Sequence, residues 1–206
     1  MIRNYPGVEY VITANGGAVY SVREGKRVYQ CLLEKESVEA AIAVRKRENM
    51  VLEVVIDGVP YAEEAYVKDP IQYLATEYGA KYIKATRKPV KDICRFAQKH
   101  AEELDSISFV CRYEDKERLY TSLDKEIPNI YVTSSVPNLM EVGHIDAGKG
   151  KTLLWLLKKL EISTEEAMAF GDADNDISML TSVKYGMAMG LSLIHISEPT
   201  RHLRIS

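Results

Sequence analysis

The amino-acid sequence predicts an α/β fold, a doubly wound parallel layer interrupted by a large α+β insert. Three observations predict it. After Gly148, strand-like, helical and strand-like segments succeed one another in the order of a parallel layer. Near the start, a strand-like run from Val8 to Thr13 ends in a glycine pair. Between these regions, hairpin patterns alternate with short helical periods, as antiparallel pieces do. The expected division is residues 1–34 as a first core segment, 35–139 as the insert, 140–190 as a second core segment and 191–206 as a tail. The two core segments are expected to share one sheet.

Taken in order, the strand 8–13 is followed by "AVYSVREGKRVYQCLL", which alternates and turns at Glu24-Gly25. Val38, Ala41 and Ile42 recur at helical spacing between Glu36 and Arg47. "MVLEVVIDGVPYAEE" is a second hairpin, turning at Asp57-Gly58. Helices are expected at about Pro70–Tyr78 and Val90–Glu103, the latter with Ile93, Phe96 and Ala97 on one face. "SISFVCRY" reads as a strand and "DKERLYTSLDKE" as a helix. "NIYVTSSVPNLMEV" is two strands split by Pro137, which cannot sit in a central ladder. In "KTLLWLLKKL" the leucines at 153, 154, 156, 157 and 160 form a broad apolar stripe. "STEE" is a capped turn, "AMAF" a short all-apolar strand and "NDISML" a helix.

Bulk properties remove several function classes. A net charge of −3, with both signs interspersed over 206 residues, leaves no basic field for nucleic acid or anionic lipid. No signal core opens the chain, and no window approaches the roughly 18 apolar residues of a membrane helix. Cys31, Cys94 and Cys111 stand far apart in no metal-ligand spacing, so they are expected to be reduced, buried and in a cytoplasmic protein. No protein partner is implied.

"GDADNDISML" crowds Asp172, Asp174 and Asp176 just past the carboxyl end of the strand "AMAF", where a doubly wound sheet binds ligands. Carboxylates this close repel one another unless a cation arrives. Mg²⁺, which takes one or two protein carboxylates together with water and substrate phosphate, is the simplest candidate. The bland alternative makes Asp174 a helix cap and leaves Asp172 and Asp176 in solvent. A calcium EF-hand loop fails, because Ile177 and Val183 stand where it needs glycine and glutamate. "GHIDAGKGKT" comes close to a P-loop but fails in both registers, at Gly150 or at Ile145. It leaves Lys149 and Lys151 at the amino end of a helix, where ammonium and helix dipole both favour phosphate.

These residues resemble the haloacid dehalogenase superfamily, specifically its Cof-type (subfamily IIB) phosphatases, which carry a C2B-type α+β cap in a Rossmann-like core. The resemblance runs from "TANGGAV" to "DAGKGKTLLWLLKKLEISTEEAMAFGDADNDISMLTSVKYGMAMG". It implies that Lys149 offsets charge on a transferring phosphoryl group and that Asp172 ligates Mg²⁺. Asn175 would then hydrogen-bond the phosphate, Asp176 would orient or join the metal shell, and Asn15 would stand at the site's rim. The implied reaction is hydrolysis of a small phosphorylated metabolite, a sugar phosphate or similar, through an aspartyl-phosphate.

The family's Asp-x-Asp-Gly-Thr nucleophile motif has no match in this sequence. The resemblance therefore implies that the core is incomplete and that the chain alone is inactive. The stretch "LSLIHISEPTRHLRIS" departs from the family pattern, and Leu191 to Arg201 within it resembles a translated library adapter, so the tail is read as non-native and His195 and His202 are given no role. Two alternatives accompany the phosphatase: a phosphosugar mutase of the same superfamily, and a catalytically inactive phosphometabolite-binding fragment. Tyr66, Tyr73, Tyr78 and Tyr82 could contact a substrate ring, but their irregular spacing suits packing better. Lys151 and His144 receive no role from the sequence.

Overall fold

The computed structural model describes residues 6–189. The chain opens with β1 (Tyr10–Thr13), β2 (Ala18–Ser21) and β3 (Lys26–Gln30), an antiparallel sheet. The insert begins with helix α1 (Lys35–Glu48) and the hairpin β4 (Val51–Ile56) and β5 (Val59–Glu63). Asp57 and Gly58, the turn residues, take φ of 48° and 70°, the paired positive angles of a two-residue hairpin turn. Next come α2 (Glu64–Lys68), α3 (Glu77–Thr86), β6 (Lys88–Val90), α4 (Ile93–Lys99), β7 (Leu104–Val110) and α5 (Lys116–Glu126). The insert's sheet closes with β8 (Ile130–Thr133) and β9 (Leu139–His144). Finally α6 (Lys149–Lys159), β10 (Met168–Gly171), α7 (Ile177–Leu180) and β11 (Tyr185–Ala188) complete the described chain.

The six-stranded sheet, in the order β6-β5-β4-β7-β9-β8, carries the main core. Leu52, Val54, Ile107, Phe109 and Met140 are fully buried there against Val38, Ala41, Ile93, Ala97 and Leu123 of α1, α4 and α5. Each large side chain so buried contributes about 1.5–3 kcal/mol. Ile93 and Ala97 thus occupy the face their spacing predicts, with Phe96 packed at its edge. Beneath α2 and α3 a smaller cluster gathers Ala62, Tyr66, Ile83 and Val110.

The β2–β3 hairpin docks on the tip of the insert through charge. Arg27 Nη2 lies 3.0 Å from Asp105 Oδ1 and 3.0 Å from Asp57 Oδ1, and Tyr20 donates to Asp57 at 2.8 Å. Asp105 is wholly buried and accepts from Gly58 N–H at 2.8 Å. Burial pushes its carboxyl above the ordinary range even with these donors around it.

Several sequence expectations are corrected. The first and last segments do not share a ladder: β1–β3 form one sheet, while β10 and β11 pair in parallel as a separate one. The insert is not purely antiparallel, since β6 runs parallel to β5. Its sheet also continues to His144, past the expected boundary at 139. The helix expected at Pro70–Tyr78 is a 3-10 turn, Pro70–Tyr73, stopped by Leu74 at φ 72°. A new helix, α3, then begins where Thr76 accepts from Gly79 N–H. The helix expected from Val90 starts at Ile93, capped by Asp92. Cys94 and Cys111 are buried as expected, but Cys31 is only half-buried. Residues 190–206, with the proposed tail and both its histidines, lie outside the described residues.

Candidate active site

The site is assembled at the amino end of α6. Gly16 and Gly148, at φ 105° and 138°, approach so closely that a Cβ on Gly16 would lie 2.5 Å from the Gly148 carbonyl carbon. Only glycine allows both the positive φ and the contact. Thr152, one turn into α6, donates from its buried hydroxyl to Gly16 O at 2.7 Å and fixes the same approach. The turn Ala14–Gly16 is thereby pinned beside Lys149. On the other side, Gly150 N–H donates to Ser178 Oγ at 3.2 Å, and a Cβ at Gly150 would meet Ser178 O at 2.4 Å. Helix α6 therefore lies directly against α7 and the acidic turn.

Within that frame Lys149 Nζ donates to Asp176 Oδ1 at 2.5 Å. The other oxygen of Asp176 accepts from the backbone N–H groups of Asp172 and Ala173, at 3.0 and 3.2 Å. Burial by itself would raise the Asp176 carboxyl; the Lys149 ammonium and the two N–H donors outweigh it and hold the carboxyl below the ordinary range. Asp176, the central buried acid, ties lysine to turn. Asp174 is exposed and makes no cap bond, so the capping alternative assigns the wrong acid. Asp172 is exposed, and among the described residues its carboxylate has no hydrogen-bond or ion-pair partner. The amine expected opposite Asp172 is thus paired with Asp176.

Asn175 donates from Nδ2 to Asn15 Oδ1 at 3.1 Å, which joins the two asparagines singled out in the sequence. A cleft of about 490 Å³ opens here, lined by Asn15, Lys149, Asp174 and Asn175 together with Tyr131 and Thr133 of β8; Asp172 and Asp176 do not line it. Tyr131 donates from its hydroxyl to Asn15 O at 2.9 Å. Sequence reasoning missed Tyr131. Its signal was the alternation in "NIYVT", which buries Ile130 and Val132 and turns Tyr131 to the other face. Lys151 also lines the cleft, with Nζ donating to Ile145 O at 2.7 Å. The candidate ring-binding tyrosines do not line it: Tyr66 is buried edge-on against Tyr73, and Tyr78 and Tyr82 are exposed elsewhere.

No group of three or more acid, histidine or cysteine side chains suited to a metal occurs among the described residues. The donor set is instead one unpartnered carboxylate, Asp172, beside one that is already hydrogen-bonded, Asp176. Such a pair fits a hard ion that takes one or two protein carboxylates and fills its remaining positions with water and phosphate. It does not fit an all-protein cage.

Residues 1–195 match the family model described as haloacid dehalogenase-like hydrolase. The chain belongs to that family. An HMP-PP phosphatase of Klebsiella pneumoniae (strain 342) is 26% identical over 197 residues, covering 95% of this chain and 68% of the relative. Its counterpart in Escherichia coli (strain K12) is 24% identical over 204 residues, with the same coverage. A solved subclass IIB sugar phosphatase superposes with a TM-score of 0.68 at 20% identity, covering 89% of this chain and 65% of that one. A haloacid dehalogenase-like hydrolase from B. subtilis gives 0.72 at 22% identity, covering 89% and 70%. The chain thus spans about two thirds of the length of its relatives. The fold is the Rossmann-like core with inserted cap of this family.

Proposed function

We propose that the cleft binds the phosphoryl group of a small phosphorylated metabolite and, with Mg²⁺, supports hydrolysis of its phosphate ester. The observation that carries this reading is the ion pair of Lys149 with the buried Asp176, the lysine lining a cleft that Tyr131 and Thr133 of the insert also line. In it a fixed ammonium stands at the amino end of an eleven-residue helix, and the exposed Asp172 lies on the same turn as Asp176, to which its backbone N–H is bound. Lys149 would balance charge on the phosphoryl oxygens, and the amides of Asn175 and Asn15 would orient them. Asp172 would hold the ion, with Asp176 keeping the turn and the lysine in register. Mg²⁺ when bound supplies a Lewis acid that offsets charge on a phosphoryl oxygen. None of the described acids is assigned as the attacking carboxylate of the aspartyl-phosphate route.

The cleft volume suits a small molecule, and Tyr131 and Thr133 of β8 are positioned to touch its non-phosphate part. The names of the relatives, an HMP-PP phosphatase and a sugar phosphatase, agree with a substrate of this size. The test is a thermal-shift screen with Mg²⁺ and matched pairs of phosphorylated and dephosphorylated sugars and pyrimidines. Stabilisation confined to phosphorylated members, and lost in Lys149→Met, is expected. Equal shifts for both members of each pair would overturn the reading.

A further inference from the structure

A second chemical constellation lies where the chain crosses between core and insert, and it does not line the cleft. Cys31, just past β3, places Sγ 3.3 Å from Nδ1 of His144, the last residue of β9. Nδ1 also accepts the backbone N–H of Asp146 at 3.1 Å, so it carries the lone pair and the ring proton sits on Nε2. Nε2 in turn faces Glu34 Oε1 at 3.5 Å, and Glu34 is steadied by Asn129 Nδ2 at 2.7 Å. Thiol, imidazole and carboxylate thus stand in the order of nucleophile, base and orienting acid. The other groups around them are the Tyr29 hydroxyl beside the thiol, and Asp146 with its neighbour Lys151 beside the ring.

We propose that Cys31 is a thiol–disulfide exchange site, with His144 as the proton acceptor and Glu34 as the group that orients the imidazole. Burial pushes the Cys31 thiol up, against a smaller opposing pull from Tyr29, so the free thiol stays protonated and needs a base. As Sγ attacks one sulfur of a low-molecular-weight disulfide, its proton passes to His144 Nδ1. The disulfide bond breaks, a bond from Sγ to the attacked sulfur forms, and the other sulfur leaves as thiolate. That thiolate recovers the proton from His144, so thiol and disulfide give mixed disulfide and thiol. Cys94 and Cys111 are buried, and among the described residues neither sulfur is hydrogen-bonded to an imidazole.

The test treats the intact native protein with dithiobis-nitrobenzoate and follows the released coloured thiolate. One fast thiol is expected, with the wild-type adduct mapped by mass spectrometry to Cys31, and the fast phase absent in Cys31→Ser. His144→Gln should slow it about tenfold or more, as loss of a general base does, and Glu34→Gln should slow it less. First labelling at Cys94 or Cys111 would overturn the proposal, as would a folded His144→Gln reacting within about twofold of wild type. Should His144→Gln fail to fold by circular dichroism, the wild-type adduct map and the Glu34→Gln rate decide. An unchanged Glu34→Gln rate would then count against the triad.

Discussion

Replacing Asp176 with asparagine tests the site's framework at one atom pair. Asp176 is 6% exposed, and its two oxygens are committed to different partners: the Lys149 ammonium on one side and two backbone N–H groups on the other. An asparagine keeps the shape but turns one acceptor into a donor. Whichever way the amide faces, it sets an N–H either against an ammonium or against two backbone N–H groups. Loss of the charge-assisted bond costs about 1.5–3 kcal/mol, and a partly buried donor left unsatisfied costs about 1–3 more. Offset by water reaching Lys149, the net loss is about 3 kcal/mol, or roughly 6–12 °C in Tm for a chain of this size.

Thermal unfolding followed by Trp155 fluorescence reports on the right place, because Trp155 lies on α6 with its ring 4.5 Å from that of Tyr29. The pH dependence has a definite sign. Because the folded-state carboxyl is held below its ordinary value, its stabilisation is fully present above about pH 4 and is lost as pH falls through the folded pKa. The difference between wild type and Asp176→Asn should therefore be constant at neutral pH and narrow only in stronger acid. A deficit under about 1 kcal/mol, or one that fades between pH 7 and pH 5, would refute the reasoning.

Three further perturbations follow from the packing. Gly150→Ala drives a Cβ to 2.4 Å from Ser178 O and should cost about 1–3 kcal/mol, read by urea denaturation. Thr152→Val removes the buried bond to Gly16 O at nearly constant volume, and an unfolding titration should register about 1–2 kcal/mol. In the insert, Arg87→Met strands Glu53, whose side chain is 4% exposed and bound by Arg87 Nη2 at 2.9 Å. The expected cost is about 3 kcal/mol, seen as a drop in Tm with native-like circular dichroism retained at low temperature.

Much of the local structure was legible because it is written in short-range periodicity. The α6 stripe, the Asp57-Gly58 turn and the Ser163 capping box need only a few neighbouring residues to declare themselves. The candidate residues also lie on short motifs, and hydrogen bonds join Lys149 to Asp176 and Asn175 to Asn15, while Asp172 stays outside the cleft lining. What escaped depends on contacts distant in sequence. Nothing local in "VITANGG" or "AMAF" states that their strands pair in different sheets. Nor does anything local say that Gly16 touches Gly148, that Tyr131 reaches Asn15, or that Cys31 meets His144. The distribution of charge inside the acidic turn was misjudged for a related reason. Three adjacent carboxylates look equivalent in sequence, but only the burial of Asp176 decides which of them takes the lysine.

The central claim is that the amino end of α6 and the acidic turn together make a phosphate and divalent-metal site. Calorimetric titration of inorganic phosphate into the chain, with and without Mg²⁺, tests it most directly. The account predicts saturable phosphate binding that strengthens with Mg²⁺, weakens about tenfold or more in Lys149→Met, and loses its Mg²⁺ dependence in Asp172→Asn. Phosphate binding indifferent to Mg²⁺ and to both substitutions would contradict it.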